Sequence, residues 1–175
     1  MQTLGERLAQ GEQAAFAELY DACADRLQHY LTLRLGSRED ADDVVQSTFV
    51  RLAQSRRRLM GIENLIAYVF KIARNESADW LRRKGRESLF LSETGSELLF
   101  QNVQDDQSVH ELIETAMAAL AKLTTEQREI VELKIYGKFT FHEIAEIVGV
   151  PQGTAATRYR TALERMKGWC LEGPQ

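Results

Sequence analysis

Apolar residues recur every three or four positions along nearly the whole chain, and no stretch alternates at period two for long enough to build a sheet. The segment AAFAELYDACADRLQHYL sets Phe16, Leu19, Tyr20, Cys23, Leu27, Tyr30 and Leu31 on one helical face. Gly36 suits the end of that helix, and Ser37 suits the N-cap of the next, with Glu39 and Asp40 in its first turn. REDADDVVQSTFVRLAQSRRRL then turns Ala41, Val44, Val45, Thr48, Phe49 and Leu52 inward. After MGIEN, the segment LIAYVFKIARNESADWLRRKGR does the same with Leu65, Val69, Ile72, Ala73 and Trp80 or Leu81. Three long helices therefore account for a first domain, residues 1–86.

Residues 87–107 break the pattern, because Ser92-Glu93-Thr94-Gly95-Ser96 is turn chemistry, and they read as a linker. Its Leu89, Phe90, Leu91, Leu98, Leu99 and Phe100 are too apolar for a free tether and predict docking on something. A second domain, residues 108–175, opens on the capping box Ser108/Glu111 and continues through Leu112, Ile113, Met117 and Leu120. Thr124-Thr125-Glu126-Gln127 starts another helix, which Gly137 ends, and Thr140/Glu143 forms a further capping box. The predicted class is all-α: two small helical domains joined by an acidic linker.

The formal net charge of −4 hides how the charge is distributed. Residues 87–116 hold seven acids and no Lys or Arg, while the segments on either side are near neutral and can still carry basic faces. Cys23 and Cys170 form no CxxC or Cys/His cluster, which argues against a disulfide framework or a structural zinc and fits a reducing cytoplasm. No apolar run is long enough to span a membrane, and the N-terminus lacks a secretory layout. No P-loop, GxGxxG, HExxH or GxSxG is present, and His29, His110 and His142 are scattered. An enzyme, a bound metal and a cofactor are thus not expected.

HEIAEIVGVPQGTAATRYR meets the demands of a helix-turn-helix. Ala145 lies where two helices would cross, and Gly149, four residues on, lies where a left-handed turn is needed. Pro151 fits the first turn of the second helix. Gln152, Gly153, Thr154, Ala156 and Thr157 are small enough to let a helix N-terminus enter a major groove, and Arg158 and Arg160 can reach phosphate or base. The same hairpin could be a packed helical corner. The acidic total also argues against a stand-alone binder, whose affinity comes mainly from phosphate neutralisation.

The two halves together resemble an extracytoplasmic-function (ECF) bacterial RNA polymerase sigma factor of the sigma-70 superfamily. FAELYDACADRLQHYL, DADDVVQSTFVRLAQ and NLIAYVFKIARNESADWLRRKGR resemble its region 2. LAKLTTEQREIVELKIYGKFTFHEIAEIVGVPQGTAATRYRTALERM resembles its region 4. The resemblance implies core RNA polymerase as partner, through the β′ clamp helices and the β flap, and promoter DNA both as duplex and as melted strand. An anti-sigma factor is a further implied partner, and the free chain is expected to be monomeric. Asp40, Asp42, Asp43, Gln46 and Phe49 would dock on the clamp. Asn64, Tyr68, Lys71, Arg74, Asn75, Trp80, Arg82 and Arg83 would open and read the −10 element, with the loop Met60–Asn64 walling a flipped-base pocket. Tyr68 and Trp80 are there as stacking candidates, although aromatics at this spacing also suit a core. Pro151 to Arg160 would read the −35 element. Many relatives carry valine at the position of Ala155 and a basic residue at that of Ala156, so Tyr159 is expected to make up the lost volume. The competing readings are an operator-binding regulator acting alone on duplex DNA and a helical adaptor that contacts no DNA.

Overall fold

In the computed structural model, which describes residues 2–84 and 107–172, every regular element is helical. The order is α1 (Leu4–Gln10), α2 (Gln13–Leu35), α3 (Arg38–Gln54), a 3-10 turn (Arg56–Leu59), α4 (Leu65–Lys84), α5 (Gln107–Ala121), α6 (Thr125–Ile135), α7 (Phe141–Val148) and α8 (Gln152–Glu172). The expected linker lies outside the described residues from Glu87 to Asp106, and its last residue, Gln107, opens α5.

Local signals set most helix ends. Gly36 closes α2 at φ 71°, and the Ser37 hydroxyl accepts from the Asp40 amide at 3.2 Å to start α3. Thr124/Gln127 and Thr140/Glu143 are complete capping boxes at α6 and α7, each satisfying two otherwise orphaned amides. Gly149 ends α7 at φ 76°, and its amide donates to the Ala145 carbonyl at 2.9 Å. Pro151 sits one residue earlier than expected: it precedes α8, and its carbonyl accepts from the Thr154 and Ala155 amides. Helix α5 likewise begins at Gln107, ahead of the predicted Ser108 cap. Helix α6 stops at Ile135, two residues before Gly137. That glycine is nonetheless required, because a Cβ there would fall 2.5 Å from the Leu133 carbonyl and 2.6 Å from the Phe139 ring.

Helix α1 was not anticipated. Its seven residues are too few to show a period, although Thr3 and Glu6 spell the capping box that starts it. It packs on the 3-10 turn so closely that a Cβ at Gly5 would lie 2.8 Å from the Leu59 carbonyl.

Helices α2, α3 and α4 enclose Leu19, Cys23, Leu27, Leu31, Val44, Leu52, Val69, Phe70 and Ala73. The predicted inward faces hold, apart from Tyr20, which is 45% exposed and rests on Phe49 edge-to-face with ring centroids 5.1 Å apart. In the C-terminal half, Leu112 and Ile135 are exposed despite their apolar character.

The two halves do not lie apart. The apolar cluster of the first continues without a break into Ile130, Leu133, Phe139, Ile144 and Ile147 of the second. Phe70 meets Phe139 edge-on at 4.7 Å, and α4 packs along α7. Leu33 of α2 joins a smaller cluster with Met117, Leu120, Leu123, Val131 and Ala162.

Candidate nucleic-acid and polymerase interfaces

Three surfaces carry the residues singled out in the sequence. On the first, α2 and α3 form a groove of about 660 Å³ lined by Phe16, Tyr20, Asp42, Val45, Gln46 and Phe49. Asp42, Asp43 and Gln46 are exposed along α3, and Asp42 accepts from the Gln28 amide at 2.5 Å. Phe49 lies half-buried beneath Tyr20. Asp40 is set apart, half-buried in the first turn of α3, where a carboxylate complements the helix dipole. An apolar trough edged by one acid and an amide, with Asp43 exposed nearby, suits a helical partner with basic residues beside its apolar stripe.

The second surface is one face of α4 and the loop before it. Asn64 starts the helix, its Oδ1 accepting from the Ala67 amide at 3.0 Å. Its Nδ2 donates to Glu143 Oε1 of α7 at 2.5 Å. Asn64, Tyr68 and Lys71 line a cavity of about 740 Å³ with Gly61, Glu63, His142 and Glu146. Arg74 forms a two-pronged pair with Glu129 of α6, Nε to Oε1 at 2.7 Å and Nη2 to Oε2 at 3.0 Å. Asn75 is exposed one position on.

At the end of α4, Arg82 pairs with Asp79, and Arg82, Arg83 and Lys84 all face solvent. Trp80 does not join this surface. It is 8% exposed within the core, with the Lys84 ammonium 5.2 Å from its ring centroid, so the stacking role gives way to the packing one. The α4 set is thus split: Asn64, Tyr68, Lys71 and Arg74 face the C-terminal half, while Asn75, Arg82 and Arg83 face water.

The third surface is the start of α8. Pro151, Gln152, Gly153, Thr157 and Arg160 are exposed, and Thr154, Ala156 and Arg158 are half-buried. Ala155 is fully buried against the turn. Tyr159, half-buried, packs edge-on against Phe141 with ring centroids 5.4 Å apart. The small-residue face is free to approach a groove.

Four residues at the junction had not been singled out. Arg34, 8% exposed, places Nη1 3.1 Å from Glu129 Oε1 and 3.9 Å from Glu132 Oε2, and its Nε donates to Ser77 Oγ at 2.9 Å. Arg26 donates to the Gly137 carbonyl and lies 5.0 Å from the Phe139 ring centroid. Burial pushes the Glu132 carboxyl up to about 8, against the pull of Arg34 and with the repulsion of Glu129. Glu143 shows the opposite outcome: burial disfavours its charge, but bonds from the Thr140 amide and hydroxyl and from Asn64 hold it below the usual carboxylate range. The sequence holds one clue to this junction, the acid Glu132 inside the apolar run IVELKI. Among the described residues, no group of three His, Cys, Asp or Glu side chains could hold a metal.

Comparison with known proteins gives these surfaces a family. The sigma-70 region 2 model matches residues 19–87, and the sigma-70 region 4 model matches residues 119–168, together more than half of the chain and in that order. The chain belongs to the ECF sigma factors. It is 28% identical over 162 residues to the RNA polymerase sigma factor CarQ of Myxococcus xanthus, covering 93% of this chain and 92% of that one. It is 24% identical over 172 residues to the ECF sigma factor SigW of Bacillus subtilis, with the same coverage of 93% and 92%. Among solved structures, CnrH in complex with the cytosolic domain of CnrY has the same fold, with a TM-score of 0.71, 21% identity and 98% and 97% of the two chains covered. RpoE of Bartonella quintana, solved with the anti-sigma factor NepR, matches with a TM-score of 0.66, 21% identity and coverage of 91% and 98%. As a sigma factor, the chain directs core RNA polymerase to promoters. Among the described residues, no helix of this sigma factor is long and apolar enough to cross a membrane.

Proposed function

We propose that this sigma factor divides its work among the three surfaces, acting in the cytoplasm by binding rather than by catalysis. Residues 1–86 dock on the polymerase and handle the −10 element, residues 108–175 handle the −35 element, and residues 87–107 connect them. The groove of Asp42, Gln46 and Phe49 takes the β′ clamp helices, with the exposed Asp43 beside it on α3 and Asp40 acting through the start of that helix. Asn64, Tyr68, Lys71, Arg74 and Asn75 take the melted −10 strand, and Arg82 and Arg83 hold its phosphates. The start of α8 enters the −35 major groove, while the rest of the C-terminal half meets the β flap. An anti-sigma factor is a fitting third partner, since a sigma factor of the same fold was solved with one bound.

One observation carries this reading: the recognition helix of an acidic chain is presented to solvent together with an acid-edged apolar groove on another domain. The groove supplies what the net charge of −4 withholds, because docking lets the polymerase provide the bulk electrostatic grip on DNA. Run-off transcription with purified core polymerase on promoter libraries tests it. Start sites that appear only when the chain is added are expected, and duplex binding without polymerase would favour the operator-binding alternative.

A further inference from the structure

Helix α8 divides its arginines between two faces. Ala155 and Ala162 are fully buried and mark its inward side. At about 100° per residue, the opposite side carries Gly153, Thr157, Arg160 and Glu164, all exposed. Gly153 has open space where a Cβ would stand, and half-buried Ala156 borders this face one turn before Arg160. From Gly153 to Glu164, Arg160 is therefore the single cation on the outward face. Glu164 follows one turn later, and a carboxylate there is repelled by the phosphate rows flanking a groove, so it marks where the helix leaves the DNA. The length from Gly153 to Arg160 is about 10 Å, or about three base-pair steps. Arg158 and Arg165 stand two turns apart on a flank turned to the start of α6. Arg165 donates to Gln127 Oε1 at 3.2 Å. Arg158 is half-buried near Glu126, whose carboxyl is held below the usual range by its own amide, the Thr124 hydroxyl and the charge of Arg158.

We propose that this chain reads its −35 element with one base-reading cation, Arg160, which takes a single guanine through its O6 and N7. Ala156 and Thr157 meet thymine methyl groups beside it: each offers a methyl to the major groove, and neither has the paired donors that guanine takes. Arg158 reaches phosphate from the flank and carries no base information. The element that fits is short, one G·C pair with A·T pairs next to it within about three base-pair steps. All of this rests on the reading of α8 as the −35 helix, so the experiment must tell a failure of one from a failure of the other.

The test uses the full chain with core polymerase, and sequences the transcripts made from a promoter library randomised across the −35 region. The intact chain is expected to select one G·C pair with A·T pairs beside it. Arg160 is exposed, so its exchange leaves the packing of α8 intact. Arg160→Gln should exchange the selected guanine for adenine, whose N6 and N7 fit an amide, and cut use of the original sequence about tenfold. Arg158→Ala should lower output from every sequence alike and leave the selected bases unchanged. On single synthetic promoters, deoxyuridine in place of the neighbouring thymines removes only the methyl groups, and should lower output from the intact chain. Guanine still selected by Arg160→Gln, or altered selection by Arg158→Ala, would overturn the proposal. Equal output on the deoxyuridine promoters would overturn the methyl contacts of Ala156 and Thr157. If start sites depend on the intact chain but no −35 base is selected, the assignment of α8 itself falls, and the proposal with it.

Discussion

Closure of the two halves should weaken as pH rises, and Glu132 should be the cause. Its side chain is 2% exposed, and burial lifts its carboxyl from 4.5 to about 8. Oε2 is buried without a hydrogen-bond partner among the described residues, 3.9 Å from the Arg34 guanidinium. The surrounding groups are Tyr30 and Arg34 of α2, Arg128 and Glu129 of its own helix, and Tyr136 just past the end of that helix, while Arg74 of α4 reaches Glu129. The two phenols are pushed up by burial, Tyr136 to about 12, so they stay neutral throughout the range.

In the closed chain Glu132 therefore keeps its proton up to about pH 8, whereas once the halves part and it is hydrated it loses that proton near its ordinary 4.5. Between those limits the closed form binds one more proton than the open form. Closure is strongest at the acid end of the window and falls by about 1.4 kcal/mol, or tenfold, per pH unit until the carboxyl ionises in place. The loss across the window is on the order of a few kcal/mol, comparable to the worth of a buried ion pair. Glu132→Gln mimics the protonated acid and cannot titrate.

The assay is double electron–electron resonance on the full chain with Cys23→Ser, Arg57→Cys and the native, exposed Cys170, spin-labelled at positions 57 and 170. Distances are read in the Arg26→Ala background, where enough open chain is present for the ratio to be read from about pH 5 to about pH 9. The open fraction should climb with pH when Glu132 is intact and stay flat in the Glu132→Gln variant. Matching profiles for the two chains would refute the reasoning.

Other outcomes follow from the three surfaces. Replacing Phe49 by alanine removes an aromatic half-buried under Tyr20, and should raise the Kd for core polymerase about tenfold, measured by competition with a second sigma factor. Arg74→Ala with Asn75→Ala should reduce permanganate reactivity of the open promoter complex while −35 footprints persist; unchanged reactivity would remove both from melting. Arg158→Ala should weaken upstream binding of the holoenzyme by about 1–3 kcal/mol if the guanidinium reads a base, and by less if it touches only phosphate. Gly149→Ala has open space for its methyl but must hold φ at +76°, so it should lower stability by about 1–2 kcal/mol, read from urea unfolding, and reduce −35 recognition in step.

Much of the fold was legible because helices are local objects. Caps such as Ser37, Thr124 and Thr140 and stops such as Gly36 and Gly149 act within a few residues of themselves, and each lies where its neighbours predict. The helix-turn-helix geometry of α7 and α8 was readable for the same reason. Helix α1 was missed because a single short turn has no period, and Trp80 was left open between stacking and packing because an aromatic stripe looks alike whether it meets DNA or a core. Likewise, Tyr20 and Leu112 are apolar by sequence and exposed in the fold, which periodicity alone does not distinguish.

What the sequence determined by itself was an all-helical chain of two modules, each with its caps and its inward face. What only the tertiary structure decided was where those modules meet. Arg34 and Glu129 lie 95 positions apart in the sequence, and Asn64 and Glu143 lie 79 apart, yet each pair touches. Nothing in either local sequence encodes the partner, because such a contact depends on the docking of whole faces. That docking placed the acids of α6 and α7 over one face of α4, where they hold Arg74 and Asn64.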